Sequence, residues 1–267
     1  FEVISRDTRP VEYRLPEFLR THPVSSARIA EARGRAREYP AAASENSRGY
    51  GIARARTEVQ SFERPDQSVT YFERQEYAQQ SDADKYGRAL AYQRAGDYRA
   101  AERIFEELAN RDQDVIAYHI GLGQARLALE NYGGTIDTFE RALKLFPRNV
   151  PLVVHYAEAL LQLGQPAKAH AVLLDLLNNV PPTPEQVRLI ARAANEAGDA
   201  GEAHYYMAEY RFMIGDLVGG VNFLRQALAL PELQEIQRIR FEARIDHIQE
   251  YMSEEQLQQM RLPPRCC

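Results

Sequence analysis

A metal site or an acid–base pair needs its donors on one face, and the histidines His22, His119, His155, His170, His204 and His247 are not spaced for that. No two lie four residues apart, and the sequence holds no HExxH, CxxC, GxSxG or glycine-rich phosphate loop. His119 and His155 therefore read as partly buried structural histidines, because coordination or proton transfer requires partners that the pattern lacks. Cys266 and Cys267 are adjacent; neighbouring cysteines rarely bridge, and two cannot build a disulfide framework or a zinc knuckle. The carboxylate pairs Glu106-Glu107 and Glu254-Glu255 read as solvated helix faces. Arg188 and Arg192 differ from these. One helical turn apart, they present two guanidinium groups on one face, which suits carboxylates. The usable chemistry points to binding, and no catalytic residue is assigned.

The elements that position these residues repeat. Gly96, Glu130, Gly164 and Gly198 are 34 residues apart, and three of them open a turn of the same kind: Gly96-Asp97-Tyr98, Glu130-Asn131-Tyr132 and Gly198-Asp199-Ala200. A small residue follows each turn (Ala101, Thr135, Ala169, Ala203), and a large apolar one comes four positions later (Phe105, Phe139, Leu173, Met207). Small residues also precede the turns in register, at Ala89, Gly123, Ala157 and Ala191, and Pro147 closes the second unit, where a helix cannot continue. The physical reading is packing: paired antiparallel helices approach closely at the small residues, and each pair must stack on the next to hide its apolar face. This pattern resembles the tetratricopeptide repeat. The fold class expected is all-α, a right-handed tetratricopeptide-like solenoid of antiparallel helix pairs with a C-terminal capping helix.

Repeats are assigned to 82–115, 116–149, 150–183 and 184–217. The register then slips, because Gly215-Asp216-Leu217 repeats the turn only 17 residues after Gly198. The helix near 201–213 is expected to serve twice, closing one pair and opening a shifted half-repeat that runs to 230. Residues 231–267 hold a charged capping helix and a tail. Upstream, 49–63 and 66–81, broken at Pro65, are expected to form a leading antiparallel pair within 48–81, and 40–46 reads as a linker.

Composition narrows the partners. Residues 1–64 carry 12 Arg, no Lys and 9 acids, whereas the remainder carries 21 basic and 29 acidic residues. A mainly acidic helical body argues against nucleic acid as a partner, since phosphates require a concentrated basic face. No run of eighteen apolar residues occurs, so no transmembrane segment is expected.

In tetratricopeptide stacks the first helix of each pair lines the inside, and partner-facing residues recur at fixed positions. Carried over, these are Tyr86, Leu90 and Gln93; Ile120, Gln124 and Leu127; Val154, Glu158 and Leu161; and Arg188, Arg192 and Asn195. The shifted half-repeat adds Tyr205, Glu209 and Phe212. Arginine and rings together resemble the usual make-up of an interface hot spot. The Lys and Asn set of a chaperone-type carboxylate clamp is absent.

The segment Leu15-Pro16-Glu17-Phe18-Leu19-Arg20-Thr21-His22-Pro23-Val24-Ser25-Ser26-Ala27-Arg28-Ile29, with Gly49-Tyr50-Gly51-Ile52-Ala53-Arg54-Ala55-Arg56 after it, carries a second resemblance. It is similar to the junction between the peptidase and C-terminal tetratricopeptide parts of bacterial HExxH zinc metalloproteases. The resemblance implies a periplasmic protein of a Gram-negative bacterium. It implies protein partners, either misassembled outer-membrane proteins or the barrel-assembly machinery. Zinc would belong to the parent protein, with no cofactor in this chain, which is expected to be inactive alone. Residues 1–47 would then be the tail of a missing peptidase domain and a linker. His22 would approach the metal only beside that peptidase, and capping of the following helix is the plainer role for it. Phe1 in place of Met reads as a processed or trimmed start. The alternative is a free-standing tetratricopeptide adaptor.

Overall fold

The computed structural model describes residues 30–35 and 47–261, with side chains to residue 258. The chain divides into two compact units, 1–47 and 48–267. In the first, 30–35 is helical, and Arg35 pairs with Glu31 at 2.5 Å. The Leu15–Ile29 segment with His22, and Cys266 with Cys267, lie outside the described residues.

The second unit is built from helices throughout its described residues: α1 (Arg48–Ser61), α2 (Pro65–Glu73), α3 (Asp82–Ala95), α4 (Tyr98–Arg111), α5 (Ile116–Ala128), α6 (Tyr132–Leu145), α7 (Val150–Gln162), α8 (Pro166–Leu177), α9 (Pro184–Glu196), α10 (Ala200–Met213), α11 (Leu217–Leu228), α12 (Glu235–Gln249) and α13 (Glu254–Arg261). None is long and apolar enough to cross a membrane. From α3 to α12 each helix packs on its neighbours in sequence, the signature of a solenoid.

One joint recurs five times. Gly96, Gly164, Gly198 and Gly215 take positive φ of 85°, 67°, 85° and 85°, and Glu130 takes 58°. A left-handed residue turns the chain so that the next amide reaches back over the helix end. Asp97, Asn131, Gln165, Asp199 and Asp216 donate their N–H to Tyr92, Arg126, Leu160, Ala194 and Arg211 at 2.8–3.0 Å. In four of the joints the same residue then caps the next helix. The side chains of Asp97, Asn131, Asp199 and Asp216 accept from Ala100, Gly134, Glu202 and Gly219 at 2.9–3.1 Å. A Gly-Asp pair thus ends one helix and starts another within two residues. Glu130 occupies the glycine position at a cost of about 1–2 kcal/mol, the usual penalty for a side chain in the left-handed region.

The spaced small residues are contact points. A Cβ added to Gly121 would lie 2.5 Å from the Phe105 ring, and one added to Gly123 would lie 2.6 Å from the Phe139 ring. Phe105 and Phe139 are fully buried, as are Ala101, Ala142 and Ala169. Tyr86 packs at 6.0 Å from Phe105 and 5.8 Å from Tyr118, and Phe139 stacks at 5.5 Å on Tyr156.

The half-period slip is built into α10. It carries both marks: Ala203, five residues after Gly198, and Ala208, seven residues before Gly215, are each buried. After Gly215, Gly220 and Leu224 repeat the small and large positions of a second helix, and a Cβ on Gly220 would sit 3.3 Å from the Ala208 carbonyl. Accordingly α10 packs on α9 as a second helix and on α11 as a first one. Helix α12 closes this end with Phe241 and Ile248 fully buried.

The leading segment holds two helices that meet through Val59 and Phe72, with the second shorter than expected. Both α1 and α2 pack on α3, and the second helix ends at Glu73 rather than running to 81. The Gln80 amide donates to the carbonyls of Phe72 and Gln75, satisfying a helix end that would otherwise need more turns. A short 3-10 turn at Tyr77–Gln79 follows instead.

Candidate functional site

The first helices α3, α5, α7 and α9 lie side by side, and their shared face is mostly amide and charge. The apolar positions carried over from the repeat pattern point into the core. Tyr86 is 1% exposed, Ile120 and Leu161 are buried, and Leu90 and Leu127 pack against the core clusters. Tyr86 is therefore corrected from groove to core: its ring fills the space between Phe105 and Tyr118. Val154 is half-buried.

What remains forms a ladder across three helices. Gln93 Nε2 donates to Gln124 Oε1 at 3.3 Å, Gln124 Nε2 meets His155 Nδ1 at 3.2 Å, and His155 Nδ1 meets Glu158 Oε2 at 3.1 Å. One nitrogen cannot serve both neighbours. With a lone pair it accepts from Gln124; with a proton it donates to Glu158. Next to the ladder α9 presents Arg188, Arg192 and Asn195, all exposed. Arg188 lies 6.0 Å from the Tyr210 ring, and no carboxylate of the described residues pairs with it. Arg192 pairs with Glu196 one turn on at 2.7 Å, an exposed contact that a ligand carboxylate can replace at little cost. Chemically this face offers guanidinium and amide donors to carboxylates and main-chain carbonyls.

Tyr205, Glu209 and Phe212 do not extend the open face, and this is a second correction. Helix α12 covers them. Phe241 stacks on Tyr205 at 5.3 Å, and Arg240 sits 4.3 Å from that ring. Arg244 forks onto Glu209 at 2.6 and 2.7 Å and lies 4.6 Å from the Phe212 ring. The cause is the register slip. As a first helix, α10 uses Ala208 and its neighbours to receive the next first helix, α12, so the positions meant for a partner meet the chain itself. Burial holds the Tyr205 hydroxyl above the ordinary tyrosine range, with the Glu209 charge acting the same way.

A second polar cluster was hidden in the sequence among ordinary helix charges. Lys85, only 7% exposed, donates from Nζ to Glu107 Oε1 at 2.8 Å and lies 4.3 Å from the Tyr77 ring. The Tyr77 hydroxyl donates to Glu107 Oε2 at 2.6 Å, and Arg111 donates to Oε1 at 2.8 Å. Hydrogen bonds from Lys85 and Tyr77 hold the Glu107 carboxyl below the usual carboxylate range. The neighbouring cleft, about 280 Å³, is lined by Arg88, Tyr92, Arg103 and Ile104 as well. Glu106, its sequence neighbour, pairs with Arg126 at 2.5 Å. The signal available was lysine itself, used three times among 33 basic residues. His119 is buried and bonds the Gln113 carbonyl at 2.9 Å through Nε2, a structural role. Among the described residues no group of three or more His, Cys, Asp or Glu could hold a metal.

Residues 126–193 match the tetratricopeptide repeat family. Over 246 residues and 89% of its length the chain is 28% identical to the beta-barrel assembly-enhancing protease of Escherichia coli, covering 49% of that protein. It is 27% identical to the putative beta-barrel assembly-enhancing protease of Vibrio cholerae over 245 residues, 89% of this chain and 51% of that one. The chain thus spans about half the length of the curated relatives it matches. Among solved structures, a thermophilic TPR protein of Thermus thermophilus superposes with a TM-score of 0.51 at 22% identity, over 69% of this chain and all of the other, a likeness of fold alone. Joint, packing and relatives agree: this chain is a tetratricopeptide solenoid that resembles, over most of its length, about half of a beta-barrel assembly-enhancing protease.

Proposed function

We propose that the chain is the partner-holding part of a periplasmic zinc metalloprotease of a Gram-negative bacterium, acting in the assembly and quality control of outer-membrane β-barrel proteins. Its open first-helix face, from Gln93 and Gln124 to Arg188, Arg192 and Asn195, takes hold of misassembled outer-membrane proteins or of the barrel-assembly machinery. The observation that carries this reading is Arg188, an exposed guanidinium with no carboxylate partner among the described residues, beside Arg192 and Asn195 on a face ended by α12. Such donors are suited to side-chain carboxylates and to the unpaired backbone carbonyls of a β-strand without its neighbour. The protease activity and its zinc belong, in this proposal, to the remainder of the parent. The described residues offer no fit for the metal.

The test uses a photo-crosslinking residue in place of Gln162, exposed on α7 one turn after Glu158, and a purified outer-membrane β-barrel protein diluted from urea. Crosslinks are expected with the unfolded barrel protein and not with its folded form in detergent. Arg188→Glu with Arg192→Glu should weaken capture by about tenfold or more, because reversed charges repel what the native pair attracts. Equal capture by the double variant, with its helical circular dichroism intact, overturns the assignment.

A further inference from the structure

A solenoid normally ends in a polar face, because the last helix has no neighbour to cover it. Helix α12 ends this stack differently. Its inner side buries Phe241 and Ile248, yet on the opposite side Ile236 and Ile239 are 75% and 59% exposed. Ala243, four residues on and also exposed, continues their line, since positions i, i+3 and i+7 share a helix face. Glu235, Glu242 and Asp246 flank that stripe, all exposed, and none pairs with a cation of the described residues. The spacing of seven and four residues places the three carboxylates on one flank. On the other flank stands Arg240, already committed to Glu202 and to the Tyr205 ring.

We propose that this outer face of α12 is a docking surface for an amphipathic helix of a partner protein, one whose apolar stripe is bordered by arginine or lysine. Two apolar side chains left this open on a helix that is otherwise well seated are what a neighbouring helix would cover in a continued stack. Charge selects the occupant. Three carboxylates along one border, unopposed among the described residues, attract a basic flank, and they oppose a second copy of this chain, whose α12 would bring the same carboxylates to the antiparallel pairing. The surface is distinct from the first-helix face and does not depend on the function proposed for it.

The probe is a fluorescent synthetic helix of about five turns with leucines at i, i+3, i+4 and i+7 and arginines on both borders. Its counterpart carries glutamates in place of the arginines. The unaltered 267-residue chain is expected to bind the arginine helix, more weakly as salt rises, and not the glutamate helix. Ile236→Ser with Ile239→Ser should weaken that binding at least tenfold without altering thermal stability, since neither side chain belongs to the core. Glu235→Lys, Glu242→Lys and Asp246→Lys together should reverse the preference toward the glutamate helix. Equal binding of both helices, or binding indifferent to these substitutions, overturns the proposal. So does sedimentation showing a dimer that the isoleucine variant dissolves, because the occupant would then be a second copy.

Discussion

Removing Arg244 should release α12 from the end of the stack while leaving the rest folded. Its guanidinium makes two bonds to Glu209 at 2.6 and 2.7 Å, and the two side chains are 20% and 19% exposed. The same group lies 4.6 Å from the Phe212 ring. Arg244→Ala deletes both bonds and the ring contact and leaves Glu209 without its partner in a site largely closed to water. Breaking a fully buried pair costs about 3–5 kcal/mol, and residual solvent access here lowers that to about 2–3 kcal/mol. Each 1.4 kcal/mol is tenfold, so opening of α12 becomes about 30- to 150-fold more frequent. In a stack with nearest-neighbour contacts the loss stays near the end where it occurs. Hydrogen exchange should show faster exchange by that factor in 235–249 and unchanged rates in α5 to α7. Pairing Arg244→Met with Glu209→Gln should recover most of the protection, since no charge is then stranded. A loss spread evenly over all helices, or one smaller than about 0.5 kcal/mol, would refute the account of how the end is sealed.

Gly123→Ala gains about 1 kcal/mol of helix propensity but drives a methyl to 2.6 Å from the Phe139 ring, so a net loss of about 1–2 kcal/mol in urea denaturation is expected. Gly133→Ala, which meets nothing within 4 Å, should instead gain stability in the same assay. Glu107 has a folded-state pKa below its ordinary 4.5, so its contribution is complete above that value and is lost as the pH falls through the lower folded one. The melting temperature of Glu107→Gln should therefore trail the native chain by a constant margin above pH 4.5 and converge with it in stronger acid; a margin that grows on acidification would contradict the Lys85–Glu107 geometry.

Features that depend on local chemistry were readable from residues alone. A left-handed joint favours glycine, and a cap in the next position favours Asp or Asn, so Gly96-Asp97 and Gly215-Asp216 announce the same turn. Close helix crossings favour small residues opposite rings, which marks Gly123 and Phe139. Features that depend on who meets whom were not readable. Tyr86 stands in register with the exposed Arg188, but Phe105 and Tyr118 enclose it. Arg240 and Arg244 look like surface charges on a polar helix, and only the packing of α12 sends them onto Tyr205 and Glu209. The short second helix depends on the Gln80 side chain capturing carbonyls several residues back, for which no periodicity exists.

The two Gly-Asp turns that bound α10 also bear on how such a stack can change over time. Because both are the same joint, a single helix, and not only the hairpin, is a unit that this architecture can add or lose. Adding a hairpin lengthens the array and keeps its sides; adding one helix keeps the stacking unbroken and exchanges the sides. Parity, not length, then decides where an open face stops. In this chain the odd helix is α10, and with it the layer that had faced outward to partners becomes, one helix later, the layer that faces the chain's own end.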